Sequence, residues 1–320
     1  MSSAPRTGTP PRWRRWLWLA LRLAGTAAGF GYVATLVDPS EVGDAFGRAS
    51  LLALGGAALV TAINIGVGAL RWRVLLAAYG APRRPPLSRL YHAYMVGFFY
   101  NNYLPGGLGG DVVRGVVTRQ SFGERGTTAS LAVVLVERAL GLSGLLLLVT
   151  ATYVVRPIAG THGVLPWSAL GLGLAAGGIV GLAAGRRLAG VLPGRLGTIA
   201  ASLPAIERFG PFFLALGLSL VTQSLVSLTG YLVVHTVHPA FEIADAMVIV
   251  PLAMAASFVP LTVGGAGVRE AAFVELGTRA LGMAHSDAVA ASLLMWLTQL
   301  AVAGIGGLLQ LVTPFRAEGE

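Results

Sequence analysis

The sequence predicts an all-α polytopic membrane protein. Hydrophobic residues make up 55% of the 320-residue chain and charged residues only 12%, whereas about a quarter of the residues in a soluble domain are charged. Long apolar runs recur, and a helix needs about 20 apolar residues to cross a bilayer. Two glycine- and proline-broken segments interrupt this pattern. We therefore predict about six full spans and two re-entrant hairpins in a single transmembrane domain, residues 1–320.

The apolar runs define the predicted spans in chain order. They cover Leu17–Val37, Leu51–Leu70, Thr128–Val155, Pro166–Ala184, Pro211–Val237 and Ala288–Val312. Residues 1–16 form a basic tail before the first run. That run is longer than the apolar part of a secretory signal, about 7–15 residues, so we expect a retained helix. Two further runs, Tyr91–Leu104 and Ala246–Val259, lead into the broken segments.

The two broken segments share the pattern Pro-x-x-Leu/Val-Gly-Gly-x-x-Val-Arg, once from Pro105 to Arg114 and once from Pro260 to Arg269. Their unpaired backbone groups cannot face hydrocarbon, so each segment must be buried in protein or line a wet cavity. We interpret the pair as two halves of one site. The residues predicted to turn the backbone there are Pro105, Gly106, Gly107, Gly109, Gly110, Pro260, Gly264, Gly265 and Gly267.

The distribution of arginine favours re-entrant hairpins over full crossings, because cytoplasmic loops carry an excess of basic residues. With both segments re-entrant, most arginines, including Arg71 and Arg114, fall on one side; with both crossing, they divide almost evenly. This topology places both termini in the cytoplasm, at the cytoplasmic (inner) membrane of the cell. It also makes residues 17–155 and 166–312 inverted repeats, an arrangement typical of transporters. The alternative is two coincidental breaks in a generic helix bundle.

Arg114 and Arg269 close the two motifs, on opposite leaflets in this topology. Each follows a Gly-Gly turn whose backbone N–H groups, together with a helix N-terminus, suit an anion. The planar guanidinium binds phosphate through two hydrogen bonds. We predict phosphate contact by at least one of these arginines; the alternative is that they snorkel to lipid headgroups.

Glu137 and Arg138 lie inside the third span, where charges need partners in the bundle interior. Neighbouring residues on a helix do not face each other, so we expect separate partners, with Asp111 and Glu270 as candidates for Arg138. These charges either join the repeats or contact a substrate. The complete predicted substrate-binding set is Arg114, Arg269, Arg138, Glu137, Asp111, Glu270, Asn101 and Asn102.

Several polar and small residues have a structural interpretation as well. Asn101 and Asn102 either turn the chain before Pro105 or bind a headgroup. Gln223 and Gln299 are expected to make interhelical hydrogen bonds. Glycines at every fourth position of the fourth span allow close helix packing, inside the fold or in a homodimer. These glycines are Gly173, Gly177, Gly181 and Gly185.

Other function classes lack support. The chain has no cysteine and five histidines without supporting carboxylates, so we predict no metal and no cofactor. There is no nucleotide-binding Gly-Lys-Ser/Thr and no Gly-x-Ser-x-Gly elbow, so we assign no catalytic residue. The net charge of +9 comes from loop arginines, so we expect no nucleic-acid partner.

The stretches Asn101–Arg114, Glu137–Leu142 and Gly264–Glu270 together resemble the lysylphosphatidylglycerol synthase transmembrane-region family, also called flippase-like proteins. Ala266 is a mild departure where Leu is expected. In two-domain members, the resemblance implies that this part moves aminoacylated phosphatidylglycerol between leaflets, while a cytosolic domain makes that lipid. The chain as given ends at Glu320 without that domain, so synthase activity is not carried over. The resemblance implies a lipid flippase or flippase-like transporter, with phospholipids or polyprenyl-phosphate-linked lipids as substrate classes.

Two alternatives belong to other classes. One is a membrane glycosyltransferase that uses a polyprenyl-phosphate sugar, with Asp38, Glu41 and Asp44 of an acidic outer loop holding the catalytic group or metal. The other is an accessory subunit that packs on another membrane protein through the glycine ladder of the fourth span.

Overall fold

The computed structural model describes residues 12–103, 109–157, 164–188, 206–256 and 266–314, with five isolated positions between 190 and 197. Of the predicted turn residues, six lie outside the described residues: Pro105, Gly106, Gly107, Pro260, Gly264 and Gly265. The helices are α1 Arg12–Thr35, α2 Pro39–Gly47, α3 Leu51–Ala78, α4 Leu87–Tyr103, α5 Gly109–Val117, α6 Gly126–Val155, α7 Val164–Leu188, α8 Phe209–Val237, α9 Ile243–Ala255, α10 Val268–Leu281 and α11 His285–Val312. A short 3₁₀ segment, Arg119–Arg125, precedes α6.

Within the described residues the fold is entirely helical, and five helices are long and apolar enough to cross a membrane. They are α3, α6, α7, α8 and α11. This confirms the predicted all-α polytopic membrane class. The predicted first span forms α1, which is not among those five, so its crossing stays a prediction.

The second span ends later than its apolar run indicates. The helix α3 continues past Leu70 to Ala78, so Arg71 lies within a helix and not in a cytoplasmic loop. The helix continues because no Gly or Pro lies between Leu70 and Gly80, and because Trp72, Leu75 and their neighbours pack in a buried cluster. Arg71 therefore does not belong among the loop arginines with which it was counted.

Contacts near the helix termini define the two ends of the bundle. Asp287, in the first turn of α11, binds Arg48 and lies 3.9 Å from Nδ1 of His238, which follows α8. Because Arg48 precedes α3, the other end is where α3 stops. There the backbone N–H of Glu207 donates to the carbonyl oxygen of Ala78 at 2.9 Å. We call these the Asp287 end and the Glu207 end.

The helix pair α9–α10 starts and returns at the Asp287 end. The helix α9 begins just after Glu242, which pairs with Arg156 at the end of α6, and α10 stops shortly before Asp287. The 13 residues of α9 give a helix of about 20 Å, shorter than the hydrocarbon core of about 30 Å. The pair therefore does not carry the chain across the bundle.

The helix pair α4–α5 starts and returns at the Glu207 end. After α5, Phe122 packs in the same hydrophobic cluster as Ala78 and Ile206. From there the 30 residues of α6, about 45 Å long, reach Arg156 at the Asp287 end. The two broken helix pairs therefore enter the bundle from opposite ends.

The helices α3 and α8 pack side by side and run in opposite directions. The hydroxyl oxygens of Thr61 and Thr229 are 3.5 Å apart, and Nη1 of Arg71 is 3.2 Å from the hydroxyl oxygen of Ser219. Residue numbers therefore rise along α3 as they fall along α8.

Each broken pair also packs on the last span of the other predicted repeat: α4 packs on α11, and α9 packs on α6. Near the ends of α4, Nε2 of His92 is 3.5 Å from the hydroxyl of Thr313, and the hydroxyl of Tyr103 donates to the carbonyl of Leu300 on α11 at 3.1 Å. The helix α9 packs on α6, where Met247 lies beside Thr152. The division into repeats 17–155 and 166–312 stays a prediction.

The glycines of α7 pack through a different face from the one predicted. A Cβ at Gly173, Gly177 or Gly181 would meet none of the described atoms within 4 Å. Instead, Gly171 and Gly178 approach side chains of α6, because residues seven apart share a helix face at 3.6 residues per turn. The packing-inside-the-fold interpretation of the ladder is therefore wrong for those three glycines, and the homodimer stays a prediction.

Close helix contact at Gly306 generates a stability prediction. A Cβ at Gly306 of α11 would overlap the carbonyl oxygen of Met95 on α4, whereas a Cβ at Gly217 of α8 would meet nothing within 4 Å. Overpacking costs about 1–3 kcal/mol, so Gly306→Ala should lower the thermal unfolding midpoint of the purified chain in detergent. The matched control Gly217→Ala should leave the midpoint unchanged or raise it, because Ala is the better helix former. An equal effect of both variants would contradict the described α4–α11 contact.

Candidate functional site

A cavity of about 460 Å³ lies among eight helices, α3–α6 and α8–α11. This volume is within the range of small-ligand sites, about 300–1,000 Å³. Charged side chains from both broken helix pairs and from two spans line it: Arg71, Asp111, Arg114, Glu137, Arg138 and Arg269. Seven of the eight predicted substrate-binding residues are in the lining, and the eighth, Glu270, is fully buried and bonded to Arg269.

Glu137 is the centre of the larger charge cluster. Its Oε1 accepts from Nη2 of Arg71 at 2.8 Å and from the hydroxyl of Tyr94, and its Oε2 accepts from Nη1 of Arg114 at 2.7 Å. Its side chain is 2% exposed. Through this one carboxylate, α6 is joined to α3 and to both helices of the broken pair α4–α5.

Asp111 joins the remaining arginines to this cluster. Its two carboxylate oxygens accept from Arg114 and from Nε of Arg138. Arg114 therefore contacts two carboxylates, while Glu137 and its neighbour Arg138 use separate partners, as the helix geometry predicts. Of the two candidate partners predicted for Arg138, Asp111 makes the contact.

Aromatic rings cover Arg114 on its remaining sides. The carbon at the centre of its guanidinium lies 4.4 Å from the ring centroid of Tyr94 and 5.4 Å from that of Trp72. Cation–π attraction of this kind strengthens when the cation is desolvated. Arg114 is 9% exposed and Arg269 is 7% exposed, so the alternative that they snorkel to headgroups does not hold.

Arg71 is the site residue that the sequence patterns missed. Its Nη1 donates to the hydroxyls of Ser219 and Thr222 at 3.2 Å each, and so fixes α3 to α8. Its Nε is buried without a hydrogen-bond partner among the described atoms, as is Oδ1 of Asn64, one to two turns away on the same cavity wall. Buried polar atoms are normally paired, so this part of the cavity wall has two polar atoms without a described partner.

The second motif forms a smaller cluster that includes a backbone contact. Oε1 of Glu270 accepts from Nε of Arg269 at 2.9 Å, and Oε2 accepts from the backbone N–H of Gly267 at 2.6 Å. Gly267 has φ = +87°, a conformation that glycine adopts readily. Arg269 also donates to Oε1 of Gln299 at 3.2 Å. Glu270 therefore holds the start of α10 and orients Arg269 into the cavity.

The predicted amide residues bond to the backbone and line the cavity, and their contact with a headgroup stays a prediction. Oδ1 of Asn101 accepts from the backbone N–H of Gly110 at 2.8 Å and so supports the start of α5, while Asn102 donates to the carbonyl of Phe98 at 2.9 Å. Both also line the cavity. Gln223, like Gln299, makes the expected interhelical bond and lines the cavity too.

The acidic residues proposed for a glycosyltransferase site lie on and before α2. Asp38 is the N-cap of that helix and accepts from the backbone N–H of Ser40 at 2.8 Å. Hydrogen bonds from the hydroxyl and then the backbone of Ser40 hold the pKa of this carboxyl below its ordinary value. A capping role explains Asp38 without catalysis. Across the described parts of the chain, no cluster of three or more His, Asp or Glu residues has an arrangement suited to a metal.

The fold and the site together define an integral membrane protein with an arginine-lined cavity inside its helical bundle. The family model for the lysylphosphatidylglycerol synthase TM region matches residues 17–307, and the chain belongs to this family. The match includes both glycine motifs and confirms the resemblance found in the sequence. No curated protein is similar enough to this chain to count as a match. The family description indicates a membrane function related to lipids.

Removal of Asp111 tests whether the cluster stabilises the fold. Asp111→Ala leaves Arg114 and Arg138 with one carboxylate fewer, and loss of one partner of a buried ion pair costs about 3–5 kcal/mol. We expect a large drop in the thermal unfolding midpoint in detergent. Glu275→Ala is the control: Glu275 pairs with Arg279, whose side chain is 81% exposed, and exposed pairs contribute about 0–1 kcal/mol. Similar midpoints for both variants would show that the cluster does not stabilise the bundle.

Proposed function

We propose that the chain moves a phosphate-containing lipid, a phospholipid or a polyprenyl-phosphate-linked lipid, between the two leaflets of the membrane. The proposal rests mainly on the charge of the cavity. Four arginines line it against two carboxylates, Asp111 and Glu137, and the balance stays positive when the buried Glu270 is included. An interior site with excess positive charge favours an anion.

The donor set suits a phosphate in particular. Arginine presents a planar fork of N–H groups that matches two oxygens of one phosphate. Three of the four arginines, Arg71, Arg114 and Arg138, belong to one cluster. The proposal therefore places the phosphate at this cluster, with Arg269 as a second contact across the cavity.

The family and the cavity size support a lipid as the source of that phosphate. The family description concerns a lipid enzyme's membrane region, and a cavity of about 460 Å³ suits a headgroup, with the acyl chains left in the bilayer. Apolar residues complete the lining, among them Phe98, Leu145 and Met295. The proposed activity is translocation, with no covalent bond in the lipid made or broken.

The proposed mechanism is alternating exposure of this site by inverted repeats, residues 17–155 and 166–312. Its support is the antiparallel packing of α3 on α8 and the entry of the two broken helix pairs from opposite ends. In transporters built this way, one repeat moves against the other around a fixed central site. Contacts at each end then open in turn: the Arg48–Asp287 pair at one end and the Ala78–Glu207 contact at the other.

The proposal places the Glu207 end in the cytoplasm. Described arginines at or near this end include Arg83, Arg84, Arg89, Arg119 and Arg208. The Asp287 end carries more acidic groups: Asp38, Glu41, Asp44, Glu242, Asp245 and Asp287. The positive-inside rule then assigns the arginine-rich end to the cytoplasm.

Transport by reconstituted vesicles tests the proposed site. Loss of a hydrogen bond to a charged group costs about 1.5–3 kcal/mol, and 1.4 kcal/mol is tenfold, so Arg114→Gln and Arg269→Gln should slow flipping of fluorescent phosphatidylglycerol about 10- to 100-fold. Arg279→Gln is the control, because Arg279 lies on the exposed side of α10. Wild-type rates for both cavity variants, in well-folded protein, would refute the proposal.

The absence of cysteine from the sequence allows a clean test of orientation. We expect Glu41→Cys to react with a membrane-impermeant maleimide in intact cells or spheroplasts, because α2 lies at the Asp287 end. Arg84→Cys should react only in inside-out vesicles, because it lies at the Glu207 end. The reverse labelling pattern would overturn the assigned orientation and leave the cavity unchanged.

A further inference from the structure

Glu137 occupies the place that a bound phosphate would take. Its two oxygens bridge the guanidinium groups of Arg71 and Arg114, at 2.8 Å and 2.7 Å. A phosphate chelated by both guanidinium groups also places one oxygen on each. The two anions therefore compete for the same donors, and the phosphate binds both arginines together only when Glu137 leaves them.

The described hydrogen bonds of the Glu137 carboxylate are to side chains and not to the backbone. Its described partners are side chains, Arg71, Arg114 and Tyr94, so it can be displaced without breaking a helix. Of the other elements that pack on α6, α8 faces this region with the hydroxyls of Ser219 and Thr222, which already bind Arg71.

The remaining charged groups near Glu137 do not replace its two arginines. Arg138, its chain neighbour, is bound to Asp111. The charged residues at the α6–α9 contact lie at the Asp287 end of α6: Arg156, Glu242 and Asp245. The helix α7 meets α6 through Gly171 and Gly178, which contact Thr150 and Ser143 on a different face of α6 from Glu137. A displaced Glu137 is thus a buried carboxylate without a cation of its own, and such a group takes up a proton instead of keeping its charge.

We infer that binding of the lipid phosphate displaces Glu137 from Arg71 and Arg114, and that Glu137 takes up one proton from water as the phosphate binds. The inference rests on the proposed function. The step is balanced in charge: one phosphodiester anion enters, one proton enters with it, and the carboxylate becomes a neutral carboxyl. The occupied cavity then carries the same net charge as the empty one, so the lipid and the proton cross together without net movement of charge.

Proton uptake predicts the direction of the pH dependence. When the bound state holds one more proton than the free state, affinity rises as pH falls, tenfold per pH unit, over the range in which Glu137 is ionised when the cavity is empty and protonated when it is filled. A phosphodiester keeps its single charge throughout this range, so the ligand does not contribute to the slope.

Calorimetry on the full chain tests the inference. Purified wild-type protein in detergent is titrated with dihexanoyl phosphatidylglycerol, a soluble short-chain phosphodiester lipid, in two buffers of different ionisation enthalpy. The difference in observed heat gives the number of protons taken up, and we expect about one. Binding with no proton uptake would overturn the inference and leave the proposed function intact. No binding at any pH would overturn the proposed function itself.

Variants then assign the proton to Glu137. Glu137→Gln should bind the same lipid with no proton uptake and no pH dependence, while Glu275→Gln, on the exposed side of α10, should keep the wild-type uptake of about one proton. Proton uptake by Glu137→Gln equal to that of the wild type would overturn the assignment. If Glu137→Gln does not fold, Tyr94→Phe keeps the assignment testable, because loss of the Tyr94 hydroxyl from the Glu137 carboxylate should shift the pH range of uptake. An unshifted range in Tyr94→Phe would count against Glu137.

Discussion

The structure depends on one constraint: a charge inside a helical membrane bundle must be compensated by another charge. A single arginine or carboxylate at the centre of a membrane helix costs about 2.5–3.5 kcal/mol on insertion scales. Arg114 satisfies the constraint by contacting both Glu137 and Asp111, and Arg71 brings α3 into the same cluster. The short helix α5 therefore has a fixed place in the interior, although its nine residues bury little apolar surface. The charges hold the broken pair in the bundle and also line the cavity.

Glycine makes that arrangement sterically possible. A Cβ at Gly110 would overlap the carbonyl oxygen of Gly97 on α4, so α4 and α5 approach at backbone distance. In the second motif, a Cβ at Gly29 of α1 would lie 2.6 Å from the carbonyl carbon of Gly267. The motif glycines that the structure describes thus serve helix contact, as small residues do throughout membrane proteins. Each contact places the arginine that closes its motif, Arg114 or Arg269, toward the cavity.

Much of this architecture follows from patterns that a single sequence contains. Apolar runs separate spans from broken segments, and the repeated motif identifies Arg114 and Arg269 as related positions. Arg71 was missed because hydropathy marks where apolar residues stop, whereas a helix continues until its hydrogen bonds or packing end. The glycine ladder of α7 does not supply the packing face inside the fold, because spacing indicates which residues share a face, whereas tertiary contacts decide which face is used. Asn64 and Tyr94 give no local signal, because their role exists only after α3, α4 and α6 meet.

The two motifs differ in what their carboxylates bind, so Glu270 and Glu137 have different roles. Glu270 binds a backbone N–H, that of Gly267, as well as Arg269, so its departure would leave a buried backbone donor unpaired, which costs about 1–3 kcal/mol. Glu137 binds described side chains that can turn toward a ligand. The second motif is therefore the fixed half, which orients one arginine. In the proposed mechanism the first motif is the exchangeable half, in which Glu137 occupies the arginines until a phosphate replaces it.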